Sequence, residues 1–129
     1  MKYLALSLFM CFGIAGTASA ERYECNLKES SRYHLIASKI FFEVAPDGGS
    51  AQIVDGILAY YEQSPATANK VVKRGNTLRV EWRLQQKKGT SINIHYSLKY
   101  RLDTGKVHVS ASLPSFDNDG RAVGTCHVI

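Results

Sequence analysis

An all-β fold, either an antiparallel sandwich or a small up-and-down barrel of about eight strands, follows from three features of the chain. Three consecutive segments between Thr77 and Leu113 alternate apolar and polar residues with period two. Turn-forming clusters rich in Gly, Pro, Asn and Asp separate short β-prone runs elsewhere. Cys25 and Cys126 stand near the two ends of residues 21–129, where one disulfide joins the first strand to the last.

The first element is an export signal over residues 1–20. Lys2 gives a basic start, Tyr3 to Ile14 are mostly apolar, and Ala18-Ser19-Ala20 fits small-x-small cleavage before Glu21. The apolar stretch is shorter than the roughly 20 residues that span a bilayer. Cys11 follows Met10 and Phe9, which is not the small residue a lipobox requires. The signal resembles a bacterial general-secretion peptide, so the expected location is periplasmic or secreted, with no transmembrane segment. Residues 21–129 are then one domain, large enough for its own core.

Arg22 to Lys28 reads as a short strand carrying Cys25. Leu35 to Val44 is β-rich, with Ile36, Ile40, Phe42 and Val44 on one face and Leu35, Ala37 and Phe41 on the other. Pro46-Asp47-Gly48-Gly49 is a turn, and Ala51 to Asp55 returns as a strand. Gly56 to Tyr61 is expected to continue that strand after a bend. Ser64 to Ala68 is a loop or one helical turn, and Val71-Val72 a short strand before the Arg74-Gly75-Asn76 turn.

The meander is the clearest part. Leu78, Val80, Trp82 and Leu84 alternate with Arg79, Glu81, Arg83 and Gln85, which predicts Trp82 in the core between sheets. Ile92, Ile94, Tyr96, Leu98, Tyr100 and Leu102 follow the same rule, as do Val107, Val109, Ala111 and Leu113. Lys87-Lys88-Gly89 suits a three-residue loop that sets Trp82 opposite Ile94, Val80 opposite Tyr96 and Glu81 opposite His95. At Asp103-Thr104-Gly105-Lys106 an odd loop mixes faces. An even loop sets Leu102 opposite Val107, Tyr100 opposite Val109 and Arg101 opposite His108. Pro114 to Gly120 is a loop, and Arg121 to Val128 the last strand.

Chemistry-bearing motifs are sparse. There is no G-x-S-x-G elbow, and Cys25 and Cys126 are spaced as neither a C-x-x-C pair nor a zinc cluster. Their bond is read as a structural staple closing roughly 100 residues, worth about 4–5 kcal/mol on a chain-entropy account. His34, His95, His108 and His127 form no H-x-H or H-x-x-x-H pair. Asp117-Asn118-Asp119-Gly120 resembles part of a calcium loop. Counting from Ser115, however, the twelfth position is Cys126 instead of Glu, so an Asx-type turn is the better reading. Glu43, Asp55, Glu62 and Glu81 are the acids available for glycoside hydrolysis, each read instead as a surface or turn residue. Of Tyr60-Tyr61, one ring is expected to pack inward and the other to cover an edge. No catalytic residue, metal or cofactor is implied.

The outward face of the meander carries the one candidate binding surface. It presents Arg79, Arg83, Lys99 and Arg101, with Glu81 as the only acid, together with His95 and His108. Residues 21–129 hold 15 Lys plus Arg against 11 Asp plus Glu, a modest surplus. That favours an anionic envelope component and is far from a nucleic-acid-binding extreme.

Tyr23 two residues before Cys25, Asp55-Gly56 after alternating apolar residues, Trp82 in a strand and Gly124-Thr125-Cys126 near the end resemble small secreted β-domain proteins of Gram-negative bacteria. Members often carry a Trp-Ile-Pro-like segment where this chain has Tyr33-His34-Leu35. A weaker likeness is to periplasmic inhibitors of C-type lysozyme, though their Ser-Gly inhibitory loop is not evident. The resemblance implies a β-domain and supplies no catalytic residues. The expected function is therefore a non-catalytic envelope protein that binds a macromolecule or an anionic surface, an enzyme inhibitor included. The alternative is a carrier with a small apolar ligand inside a barrel.

Overall fold

The computed structural model describes residues 19–86, 92–114 and 119–129. Most of the expected signal, the Lys87-Lys88-Gly89 loop and the Ser115–Asn118 part of the last loop lie outside the described residues. Among the described residues, nine strands form one antiparallel sheet, with a single short helix. In chain order they are β1 (Glu21–Glu29), β2 (Lys39–Val44), β3 (Ala51–Asp55), α1 (Gly56–Tyr61), β4 (Ala66–Thr67), β5 (Lys70–Arg74), β6 (Thr77–Gln86), β7 (Ile92–Arg101), β8 (Lys106–Ser112) and β9 (Asp119–Val128). Their order in the sheet is β4-β3-β2-β1-β9-β8-β7-β6-β5. The all-β class holds, and the architecture is one sheet curled into a half-barrel.

The curl buries one face against itself. Leu78, Val80, Trp82 and Leu84 of β6, with Ile94, Tyr96, Leu98 and Tyr100 of β7, point to the concave side and are at most 5% exposed. From the other half of the sheet come Tyr23, Cys25, Ile40, Phe42 and Ile53. The two halves meet through aromatic rings: Tyr23 lies edge-on to Tyr100 at 5.3 Å, and Phe42 at 6.5 Å. Trp82 stacks on Tyr96 at 5.2 Å and is 1% exposed. It is thus buried between halves of one sheet instead of between two sheets. Iodide is expected to leave Trp82 emission nearly unquenched in the folded protein and to quench it on unfolding. Ready quenching under native conditions would contradict this packing.

The outer edges of the sheet are consecutive in sequence. The Ala68 backbone N–H donates to Ala51 of β3 at 2.9 Å, while the next N–H, of Asn69, donates to Glu81 of β6 at 2.7 Å. The chain therefore passes from one edge of the curl to the other within two residues, which covers backbone groups an open edge leaves unpaired. Ser64 to Ala68, expected as a loop or helical turn, supplies β4 here.

Two registers differ from expectation by two residues, which preserves every face. Trp82 opposes Tyr96 and Glu81 opposes Ser97, so the β6–β7 pairing closes at Gln86 and Ile92, further from the turn than a three-residue loop allows. His95 consequently sits opposite Arg83 and not Glu81. In the next hairpin Tyr100 opposes Val107 and Lys99 opposes His108, replacing Arg101 as its neighbour. Gly105 takes a left-handed φ of 78°, and its N–H donates to Arg101 at 2.8 Å. That bond places the four-residue turn one step earlier than the pattern implied.

Two elements depart in kind. The predicted strand over 35–44 begins only at Lys39, because Glu29 accepts the N–H groups of Leu35 and Ile36 at 3.1 and 3.0 Å and the Ser31 hydroxyl. A carboxylate that captures local backbone donors competes with a ladder for them. Gly56 to Tyr61 is a helix and does not continue β3, since Asp55 caps it by accepting from Leu58 N at 2.8 Å. The turn drops Leu58, 1% exposed, onto the core.

Asp55 is itself buried, and burial pushes its carboxyl above the ordinary range despite hydrogen bonds from Leu58 and Ile57 that pull it down. Between the ordinary and the raised value the folded state holds the proton that the unfolded state has lost. Asp55 therefore takes stability away as pH rises through that window. Asp55→Asn keeps the cap and removes the buried charge, so thermal melts at neutral pH should show equal or greater stability. Asp55→Ala should lose about 1 kcal/mol. A destabilised Asn variant would show that the ionised carboxylate is itself favourable.

Candidate functional site: the basic convex face

Strand alternation puts the polar residues of β5 to β8 on the convex side, and register decides which of them meet. Val72, Arg79, Lys99 and His108 form one row across four strands. Arg101 lies two residues along β7 from Lys99, opposite Thr77, which in turn faces Arg74. Neighbouring strands are about 4.8 Å apart, so these side chains border a common recess of about 600 Å³, with Lys70 at its rim. Sequence alternation had placed Arg79, Lys99, Arg101 and His108 on this face. It missed Lys70 and Arg74, although Lys70, Val72 and Arg74 alternate with Val71 and Lys73. The run is short, and only its pairing with β6 orients it.

Arg83 and His95 share the face but not the recess: they oppose each other further along β6 and β7. Glu81 lies between the two groups, faces Lys70, and approaches Arg79 Nε at 3.6 Å. That distance exceeds a hydrogen bond, and Arg79 Nε is buried with no acceptor among the described residues. Arg101 is held differently. Its Nε and Nη2 donate to both Asp103 oxygens at 3.1 and 3.0 Å. This bond holds the Asp103 carboxyl below the usual carboxylate range and the guanidinium above its own. Both groups are open to solvent, so the pair adds little to stability.

Charge is segregated along the chain as well. Residues 70–112 contain ten Lys and Arg against two acids, whereas the remainder of 21–129 has five against nine. The basic segment builds one half of the sheet. Ion pairs occur on both halves: beside Arg79–Glu81 and Arg101–Asp103 on the basic one, Arg22 pairs with Glu43 at 3.2 Å, and Glu24 receives Lys39 at 3.5 Å and His127 at 3.1 Å on the other. By this count the β5–β8 side carries a net positive field, and the remainder of 21–129 a net negative one.

The acids considered for hydrolysis each have another partner. Glu43 binds Arg22, Asp55 caps α1, Glu62 accepts Gln85 N–H at 2.8 Å, and Glu81 faces Lys70 and Arg79. Among the described residues no three His, Cys, Asp or Glu side chains group as a metal site. None of their helices is long and apolar enough to cross a membrane. Tyr60 is 76% and Tyr61 36% exposed, set edge to face at 4.9 Å, so neither ring packs inward as expected. α1 turns both away from the core, and with Tyr33 and His34 they border a cleft of about 440 Å³.

Compared with protein-family models, curated proteins and solved structures, the chain matches none. Its class is defined by the fold itself: a single-sheet β half-barrel, stapled by Cys25–Cys126, with a basic flank built from residues 70–112 and an excess of acids in the rest of 21–129.

Proposed function

We propose that residues 1–20 direct export and that the domain is a non-catalytic protein of the periplasm or cell exterior. It docks through the convex face of β5–β8 on an anionic envelope component. Segregation of charge onto that half of the sheet carries the reading. A cystine suits an oxidising compartment, and the resemblance to small secreted β-domain proteins points the same way. An acidic surface on a protein partner, as for an enzyme inhibitor, is met by the same face. The carrier alternative draws less support, because Trp82, Tyr96, Tyr100 and Phe42 fill the concave side.

Co-sedimentation of the mature protein with anionic vesicles tests the proposal. Basic residues at an anionic surface contribute about 1 kcal/mol each. Replacing Arg79, Arg83, Lys99 and Arg101 together by Gln should therefore weaken binding by about a hundredfold or more. Raising salt should release the wild type, since exposed charges are screened over about 8–10 Å. Equal binding by wild type and the folded quadruple variant would overturn the proposal.

A further inference from the structure

We propose that the recess on the convex face is a phosphomonoester site, which takes the terminal phosphate of an anionic lipid headgroup. This rests on the docking surface proposed above and assigns its ligand chemistry. Lys70, Arg74, Arg79, Lys99 and Arg101 border the recess with His108, and no carboxylate lines it among the described residues. Asp103 and Glu81 offset part of these five formal cations from outside the recess, which leaves about three charges uncompensated and mutually repelling. The anion that relieves them best carries more than one charge and several acceptors. A phosphomonoester brings about −1.5 to −2 charges and three strong acceptor oxygens, whereas a phosphodiester or a carboxylate brings one charge.

The two arginines show how such a group is held. A guanidinium presents parallel N–H donors that match two oxygens of one anion. The Arg101 fork is already filled, by both oxygens of Asp103. Arg79 is held only loosely: Glu81 stands 3.6 Å from its buried Nε, and with the side chain 44% exposed it is the terminal Nη1 and Nη2 donors that are left to meet a ligand. Register sets Lys99 directly beside it on β7, with His108 next on β8. The end-on Nη1/Nη2 pair of Arg79, beside a compact ammonium charge and an imidazole, is a donor set for one phosphoryl group. The recess, about 600 Å³, has room for that group with part of a headgroup, and its position on the outer surface lets a lipid layer reach it.

The test compares vesicles containing phosphatidic acid, a monoester, with vesicles containing phosphatidylglycerol, a diester. Surface charge is matched by electrophoretic mobility at about pH 7.5, above the second phosphate pKa of about 6. Wild-type protein should bind the monoester vesicles about tenfold more tightly, the gain of one charge-assisted bidentate contact. R79K keeps the charge but loses the fork, so it should bring the ratio to about one while salt-sensitive binding persists. R79Q/K99Q should do the same with weaker binding overall. Trp82 emission and the thermal midpoint verify folding of each variant. Equal wild-type binding to both vesicles overturns the monoester site and leaves the docking surface standing. Binding to neither overturns both. Glycerol 3-phosphate in solution should bind alone no more tightly than about millimolar, because the surface supplies the remaining attraction. Tighter binding of that soluble ester than of vesicles would overturn the assignment to a lipid.

Discussion

Replacing Gly124 by valine is expected to prevent stable folding, and alanine alone should cost several kcal/mol. A Cβ at this position meets the Asn26 carbonyl oxygen at 1.8 Å, its carbon at 2.8 Å and Leu27 Cα at 3.0 Å. All three are backbone atoms, so no rotamer change relieves the contact. Gly124 opposes Leu27 where β9 pairs with β1, the seam joining the two halves of the sheet. Opening it moves the basic half away from Tyr23 and Phe42, whose rings close the core. Overpacking typically costs about 1–3 kcal/mol where side chains can yield. Here they cannot, and about 4 kcal/mol or more is expected against a total stability of about 5–15 kcal/mol. Gly75→Ala is the control. It sits at a left-handed φ of 58° in open space and should cost only about 1 kcal/mol. Urea unfolding of the three variants decides it, and Gly124→Ala within 1 kcal/mol of wild type, roughly the cost of the control, would refute the close approach.

Removing the disulfide should have an effect of similar size through the unfolded state. Cys25 and Cys126 are bonded across the same seam and are 101 residues apart in sequence. Freeing that loop adds conformations chiefly to the denatured chain, a loss of about 4–5 kcal/mol on the chain-entropy account. Cys25→Ser/Cys126→Ser and reduced wild type should therefore shift to the same lower urea midpoint. A reductant should leave the double variant unchanged. Coincident midpoints for oxidised wild type and the double variant would show that the bond stabilises neither state differentially. Gly124 and the cystine share one strand pair, so their effects should not add.

The sign and face of the convex site were legible from alternation, because period two needs no partner to be read. Arg79, Lys99, Arg101 and His108 lie together on that ground alone. Their neighbours were not legible. Two-residue shifts at both hairpins keep faces intact and so leave no trace in the pattern, yet they exchange Glu81 for Arg83 beside His95 and Arg101 for Lys99 beside His108. The seam was half visible: two terminal cysteines named its strands, but nothing in Gly124-Thr125-Cys126 announced how near Asn26 comes.

Residue order alone set the all-β class, the buried and exposed faces of the central strands and the basic character of one face, and it named Cys25 and Cys126 as partners. The first three depend on residue order within a strand, and the cystine on the position of Cys25 and Cys126 near the two ends of 21–129. Packing in the folded chain settled that one sheet curls on itself, that Asp55 turns the chain into α1, and that Glu29 delays β2. It also decided that Lys70 and Arg74 join the basic recess. Those outcomes turn on which donors a carboxylate captures and on which strand lies beside which. Such contacts form between residues distant in sequence, where periodicity carries no information.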